Sequence, residues 1–117
     1  MSDRPARATD WDIQAAPALS ALEFERTLEP EPARRLLLGM VPRAMEDKWF
    51  VFREGDELFF HRSWTGILLF RVALEFLDDG RLRLHAARYN ANPEDYSGSA
   101  VSARSDLDNA IRLVISH

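Results

Sequence analysis

Cysteine is missing from the 117 residues, which excludes disulfides, thiolate nucleophiles and cysteine-based zinc sites together. Long apolar runs are missing too. The longest, such as Ile67 to Phe70, are far shorter than the roughly 20 residues of a membrane span, and the N-terminus has no apolar signal-peptide core. The expected setting is therefore cytoplasmic, away from membranes. An excess of positive charge is also lacking: fifteen Lys and Arg stand against nineteen Asp and Glu, a net charge of -4. That balance argues against non-specific nucleic-acid binding, which needs a basic face, but the charges are mixed along the chain and leave room for a local basic pocket. There is no GxGxxG, Walker or HExxH motif and no nucleophile elbow. His61, His85 and His117 show no metal-ligand spacing, so neither metal nor cofactor is expected.

What remains is an ordinary composition, 46% hydrophobic and 29% charged, for a chain with material for one core. Residues 1–16 are charged and Ala-rich without sustained periodicity, and read as a mobile N-terminal tail in which Trp11 and Ile13 are the side chains able to dock. Residues 17–117 then form a single α+β domain. Leu22, Phe24, Arg26 and Leu28 alternate with Glu23, Glu25 and Thr27, a strand pattern slightly preferred over a helical one. Pro32 can open a short helix over Ala33 to Leu38, closed by Gly39 and cut off by Pro42.

Two hairpins follow. Lys48 to Arg53 and Glu57 to Ser63 flank Glu54-Gly55-Asp56. Keeping Phe50, Phe52, Leu58 and Phe60 on one face sets Arg53 opposite Glu57 and Trp49 opposite His61. In the second hairpin, Leu68, Phe70, Val72, Leu74 and Phe76 form one apolar face and Leu82, Leu84 and Ala86 another. A three-residue Asp78-Asp79-Gly80 loop, with Gly80 at positive φ, sets Phe76 against Leu82, Leu74 against Leu84 and Glu75 against Arg83. The same register puts Arg88 on the apolar face opposite Phe70, an uncomfortable place for a charge. Asn92 to Tyr96 reads as a capped single turn. Ser105 and Asp108 suit a capping box ahead of a helix whose Leu107, Ala110, Ile111, Val114 and Ile115 make one buried stripe. The expected fold is a four- to five-stranded antiparallel meander with that C-terminal helix packed on one face and a short N-terminal helix.

In such a meander both turns fall at one end of the sheet, and the crossing His61-Arg62-Ser63-Trp64-Thr65-Gly66 falls at the other. Glu46-Asp47-Lys48 and Arg88-Tyr89-Asn90 should converge on it. Arg62, Arg88 and Lys48 are then candidate anion ligands through charge-assisted hydrogen bonds. Trp64 and Trp49 are candidate stacking platforms, and Ser63, Thr65 and Asn90 candidate orienting groups. His61 is the candidate general acid or base. Each also has a plainer role, as a packed ring, a turn hydroxyl or an ion-pair partner.

The strings Met45-Glu46-Asp47-Lys48-Trp49-Phe50 and Phe60-His61-Arg62-Ser63-Trp64-Thr65-Gly66 resemble the signature of a family of small, largely uncharacterised bacterial proteins. The resemblance covers about residues 42 to 90. It implies a shared site, found near ADP-ribose or other nucleotide-processing functions, and carries over no established activity. Residues and resemblance together point to binding of a small anionic ligand, nucleotide or ADP-ribose-like, at the HRSWTG loop, with His61 as the proton-transfer group if there is turnover. The alternative is a protein-interaction role, such as a bacterial immunity or antitoxin protein or a subunit of a small complex, with Trp64 as its hot spot.

Overall fold

Alternating apolar residues and turn formers assemble one antiparallel sheet. The structure, a computed structural model, describes residues 4–16, 18–44 and 46–117; the first three residues of the expected tail and Met45 of the signature lie outside them. The elements in chain order are a short 3-10 turn (Ala8–Asp10), β1 (Leu19–Leu22), β2 (Arg26–Leu28), α1 (Pro30–Leu38), β3 (Trp49–Glu54), β4 (Glu57–Arg62), β5 (Leu68–Phe76), β6 (Leu82–Asn90) and α2 (Ala100–Ser116). The sheet runs β1-β6-β5-β4-β3, and β2 lies in line with β1 along the same edge of β6. The α+β meander with its two helices is as expected, but among the described residues the strands number six. The alternating stretch 19–28 is split into two short strands by residues 23–25.

The second hairpin has the expected register: Phe76 faces Leu82, Leu74 faces Leu84 and Glu75 faces Arg83. Gly80 takes a φ of 87°, a conformation a side chain resists. The first hairpin does not have its expected register. Arg53 pairs with Leu58 rather than Glu57, and Trp49 with Arg62 rather than His61. The physical reason is that both faces of this half of the sheet are buried. Val51, Leu58 and Phe60 enter the main core, while Phe50, Phe52 and Phe59 pack on the opposite face with Ala6, Trp11 and Ile13. Splitting the aromatics between two faces therefore exposes none of them. The docking expected of Trp11 and Ile13 is present and extends to Ala6 and Ala8.

Arg88 is also corrected. A bulge shifts the β5–β6 register between Arg71 and Ala73, with Ala86 at a φ of 48°, so Arg88 faces Arg71 instead of Phe70. Ala87 takes the buried place and Arg88 is exposed. One extra residue thus turns the charge out of the core.

On the main face, Ala33 and Leu36 of α1 join Leu107, Ala110, Ile111 and Val114 of α2 over Phe60, Phe70, Val72 and Leu84. Helix α1 opens at Pro30 rather than at Ala33, because Pro30 takes the first-turn place expected of Pro32. Helix α2 opens at Ala100, with its cap six residues before the expected Ser105: Ser99, whose side chain accepts from the Ser102 amide. Ala103 is buried one turn before Leu107, so the apolar stripe already extends into the added turn.

Candidate functional site

The crossing between β4 and β5 lies at the end of the sheet opposite the two hairpin turns. Its backbone is closed on itself: the Gly66 amide donates to the Arg62 carbonyl at 2.7 Å and the Arg62 amide to the Ile67 carbonyl at 2.9 Å. The Ser63 amide donates to the Lys48 carbonyl at 2.8 Å, and the Ser63 hydroxyl to the Asp47 carbonyl at 2.7 Å. Thr65 Oγ1 accepts from the Ile67 amide at 3.2 Å. These are the turn-satisfying roles that hydroxyls near glycine commonly play.

A second layer comes from the N-terminal segment. Trp11 stacks on Phe50 with ring centroids 6.1 Å apart, and its indole N–H donates to the Ser63 carbonyl at 2.9 Å. Gln14 donates from its amide to the Gly66 carbonyl at 2.8 Å and accepts from the Leu68 amide at 3.1 Å. Its side chain donates to the Thr65 carbonyl at 3.0 Å. Residues 11–14 are thus a strap across the loop, held largely through main-chain groups.

His61 lies beneath the loop. Only 3% exposed, its ring stacks on Phe52 at 5.6 Å, and its Nδ1 is 2.8 Å from the Gly66 carbonyl. A carbonyl can only accept, so Nδ1 carries the hydrogen. Burial pushes the imidazole below its ordinary 6.5, against the opposing pull of that carbonyl. His61 lines neither of the clefts beside the loop and braces it from below. Asn90 is likewise occupied: fully buried, it donates to the Leu68 carbonyl at 3.0 Å and to Asp95 at 3.2 Å, and accepts from the Asn92 amide. Trp49 packs against Phe60 and Phe70 in the main core. Arg88 stands on the opposite sheet face beside Arg71, two strands from Arg62.

The residues brought together are Lys48, Arg62, Ser63 and Trp64, which line a small cleft of about 200 Å³. Beside it, Trp11, Pro42, Arg43, Ala44, Ser63 and Trp64 line a larger cleft of about 470 Å³. Trp64 is 71% exposed on a loop tied through its main chain. Arg26, Arg71, Arg81, Arg83 and Arg112 are each ion-paired to a carboxylate; among the described residues the side chains of Arg43, Lys48 and Arg62 beside Trp64 form no ion pair, and neither do those of Arg53, Arg88 and Arg104 farther away. On the far side of Arg62 is Tyr96, whose hydroxyl donates to Asp106. Burial and that carboxylate push its phenol up to about 12.

Trp11, Pro42, Arg43 and Ala44 were not legible as site residues. Trp11 stood out in sequence only as a large side chain in a polar stretch, and the 42–44 stretch carried no signal beyond Pro42 as a helix stop. Comparison with protein-family models, with curated proteins and with solved structures finds no match to this chain. No described helix is long and apolar enough to cross a membrane.

Proposed function

We propose that the Trp64 loop binds a small anionic ligand, nucleotide or ADP-ribose-like, in the manner the resemblance over residues 42 to 90 implies. The observation that carries this reading is the company Trp64 keeps. A highly exposed indole stands on a fastened loop among Arg43, Lys48 and Arg62, whose side chains form no ion pair among the described residues, in a chain with a net charge of -4. Cations left unpaired in an acidic protein are available to an anion, and Arg62 offers a planar fork of donors suited to phosphate or carboxylate. A flat ring stacked on Trp64 gains both contact area and a preformed partner. Thr65, Asn90 and Trp49 support the loop rather than touch the ligand, Ser63 spends its hydroxyl on the Asp47 carbonyl while lining both clefts, and the burial of His61 argues for recognition over turnover. Such ligands are concentrated in the cytoplasm, the setting expected from the sequence.

Isothermal titration against mono- and dinucleotides, ADP-ribose and simple anions tests the reading. Binding in the wild type that is lost in Arg62→Ala supports it, and absence of heat with every compound overturns it. The exposure of Trp64 also favours a second reading, a protein interface anchored on this side chain. A stoichiometric partner lost on Trp64→Ala, with no small-molecule binding, would select that reading.

A further inference from the structure

The two clefts meet at Ser63 and Trp64 and differ sharply in chemistry. The larger, about 470 Å³, is walled by Trp11, Pro42, Ala44 and Trp64, with Arg43 as the one charged residue among its described lining. It lies within the roughly 300–1,000 Å³ range of small-molecule sites. Its Trp11 wall is fixed twice, by the stack on Phe50 and by the indole bond to the Ser63 carbonyl. The smaller, about 200 Å³, is lined by Lys48 and Arg62. Among the described residues no carboxylate lines either cleft. A phosphate placed in the apolar cleft loses hydration with little return, and a ring placed in the small cleft leaves two cations unanswered.

Resting on the anion-binding reading above, we propose that the clefts are two halves of one site divided by Trp64, and that its ligand class is a nucleoside phosphate. The base lies against Trp64 in the Trp11–Pro42–Ala44 cleft, and the phosphate meets Lys48 and Arg62 in the smaller one. Neither half holds a ligand tightly alone, because each supplies only part of the contact; joining the parts makes the second contact intramolecular.

The test uses the full chain and titrates AMP, GMP, CMP and UMP singly, each beside its nucleoside, with inorganic phosphate as the shared second part. Quenching of tryptophan fluorescence and calorimetry are read together. At least one monophosphate is expected to bind tenfold or more tighter than both its nucleoside and phosphate. Lys48→Ala/Arg62→Ala should reduce that nucleotide to the affinity of its nucleoside, and Trp64→Ala should reduce it to that of phosphate. Circular dichroism melts of both variants verify the fold. If phosphate binds as tightly as every nucleotide and Trp64→Ala changes nothing, the anion site stands and the two-part ligand falls. If a nucleoside binds as tightly as its monophosphate, the role of Lys48 and Arg62 falls. No binding by any compound overturns this proposal and the reading beneath it.

Discussion

Gly66→Ala probes the strap most directly. Gly66 has a φ of 75°, and a Cβ on it would stand 2.3 Å from the Asp12 carbonyl oxygen and 3.2 Å from Ile13 Cα. Both obstacles are backbone, so the strap itself must retreat. The left-handed conformation alone costs an alanine about 1–2 kcal/mol. Retreat weakens the Gln14-to-Gly66 and Trp11-to-Ser63 hydrogen bonds, at about 0.5–1.5 kcal/mol each. The expected loss is about 3 kcal/mol, a fall in Tm of roughly 10–15 °C for a domain of this size. Gly55→Ala is the control: its φ is 63°, but nothing lies within 4 Å of the added Cβ, so it should lose only the backbone share, about 1–2 kcal/mol. Urea unfolding followed by far-UV circular dichroism measures both. In a Trp11→Ala background the strap is already loosened, and Gly66→Ala should there cost little more than Gly55→Ala. Equal losses for the two glycines in the wild-type background would refute the strap as a fixed part of the fold.

Three further outcomes follow from the same geometry. Trp64→Ala should change stability by no more than about 0.5 kcal/mol, because the side chain is largely in solvent; a large fall in Tm would make Trp64 a structural plug. His61 has a folded pKa below its ordinary 6.5, so the unfolded chain takes up the proton first. Its contribution is complete above pH 6.5 and is lost as pH falls from there toward the folded pKa. The urea midpoint of the wild type should therefore drop between pH 7.5 and 5.5 more steeply than that of His61→Gln, and parallel slopes would contradict the assignment. Ala86 holds a φ of 48° in the β6 bulge and is exposed, so Ala86→Gly should stabilise by a few tenths to about 1 kcal/mol. Destabilisation in the same urea assay would mean that the Ala86 methyl contributes packing.

How much could be read from the sequence depended on where the deciding partner lay. The second hairpin was legible because Leu74, Phe76, Leu82 and Leu84 share one apolar face and Asp78-Asp79-Gly80 allows one sensible loop; everything needed sits within a dozen residues. The first hairpin was misread by applying the same rule to a sheet half buried on both sides. What covers Phe50 and Phe52 is Ala6, Trp11 and Ile13, about forty residues earlier in a stretch without periodicity. Arg88 was placed on the apolar face by an unbroken register, and its own discomfort there was the sign of the bulge that removes it. The start of α2 was missed because Ser105 and Asp108 imitate a cap inside a longer helix, while the working cap is Ser99. At the site, strand ends brought Lys48, Arg62, Ser63 and Trp64 together as expected. The larger cleft was invisible because its walls come from two distant segments that meet only after the strap docks.

That dependence on docking separates two kinds of polar residue that the sequence runs together. His61, Ser63, Thr65 and Asn90 turn their hydrogen-bonding groups toward carbonyls and amides of the loop and its neighbours, and each is spent on holding the backbone. Lys48, Arg62 and Trp64 stand on that backbone and line the clefts. The strap closes on the loop mainly through the carbonyls of Ser63, Thr65 and Gly66, so its grip does not depend on which side chain occupies position 64. Substitutions in the first group should act through the loop and alter stability and binding together, whereas those in the second should alter binding at nearly constant stability. A ligand-facing surface that can change without unmaking its support follows from fastening the loop by its main chain.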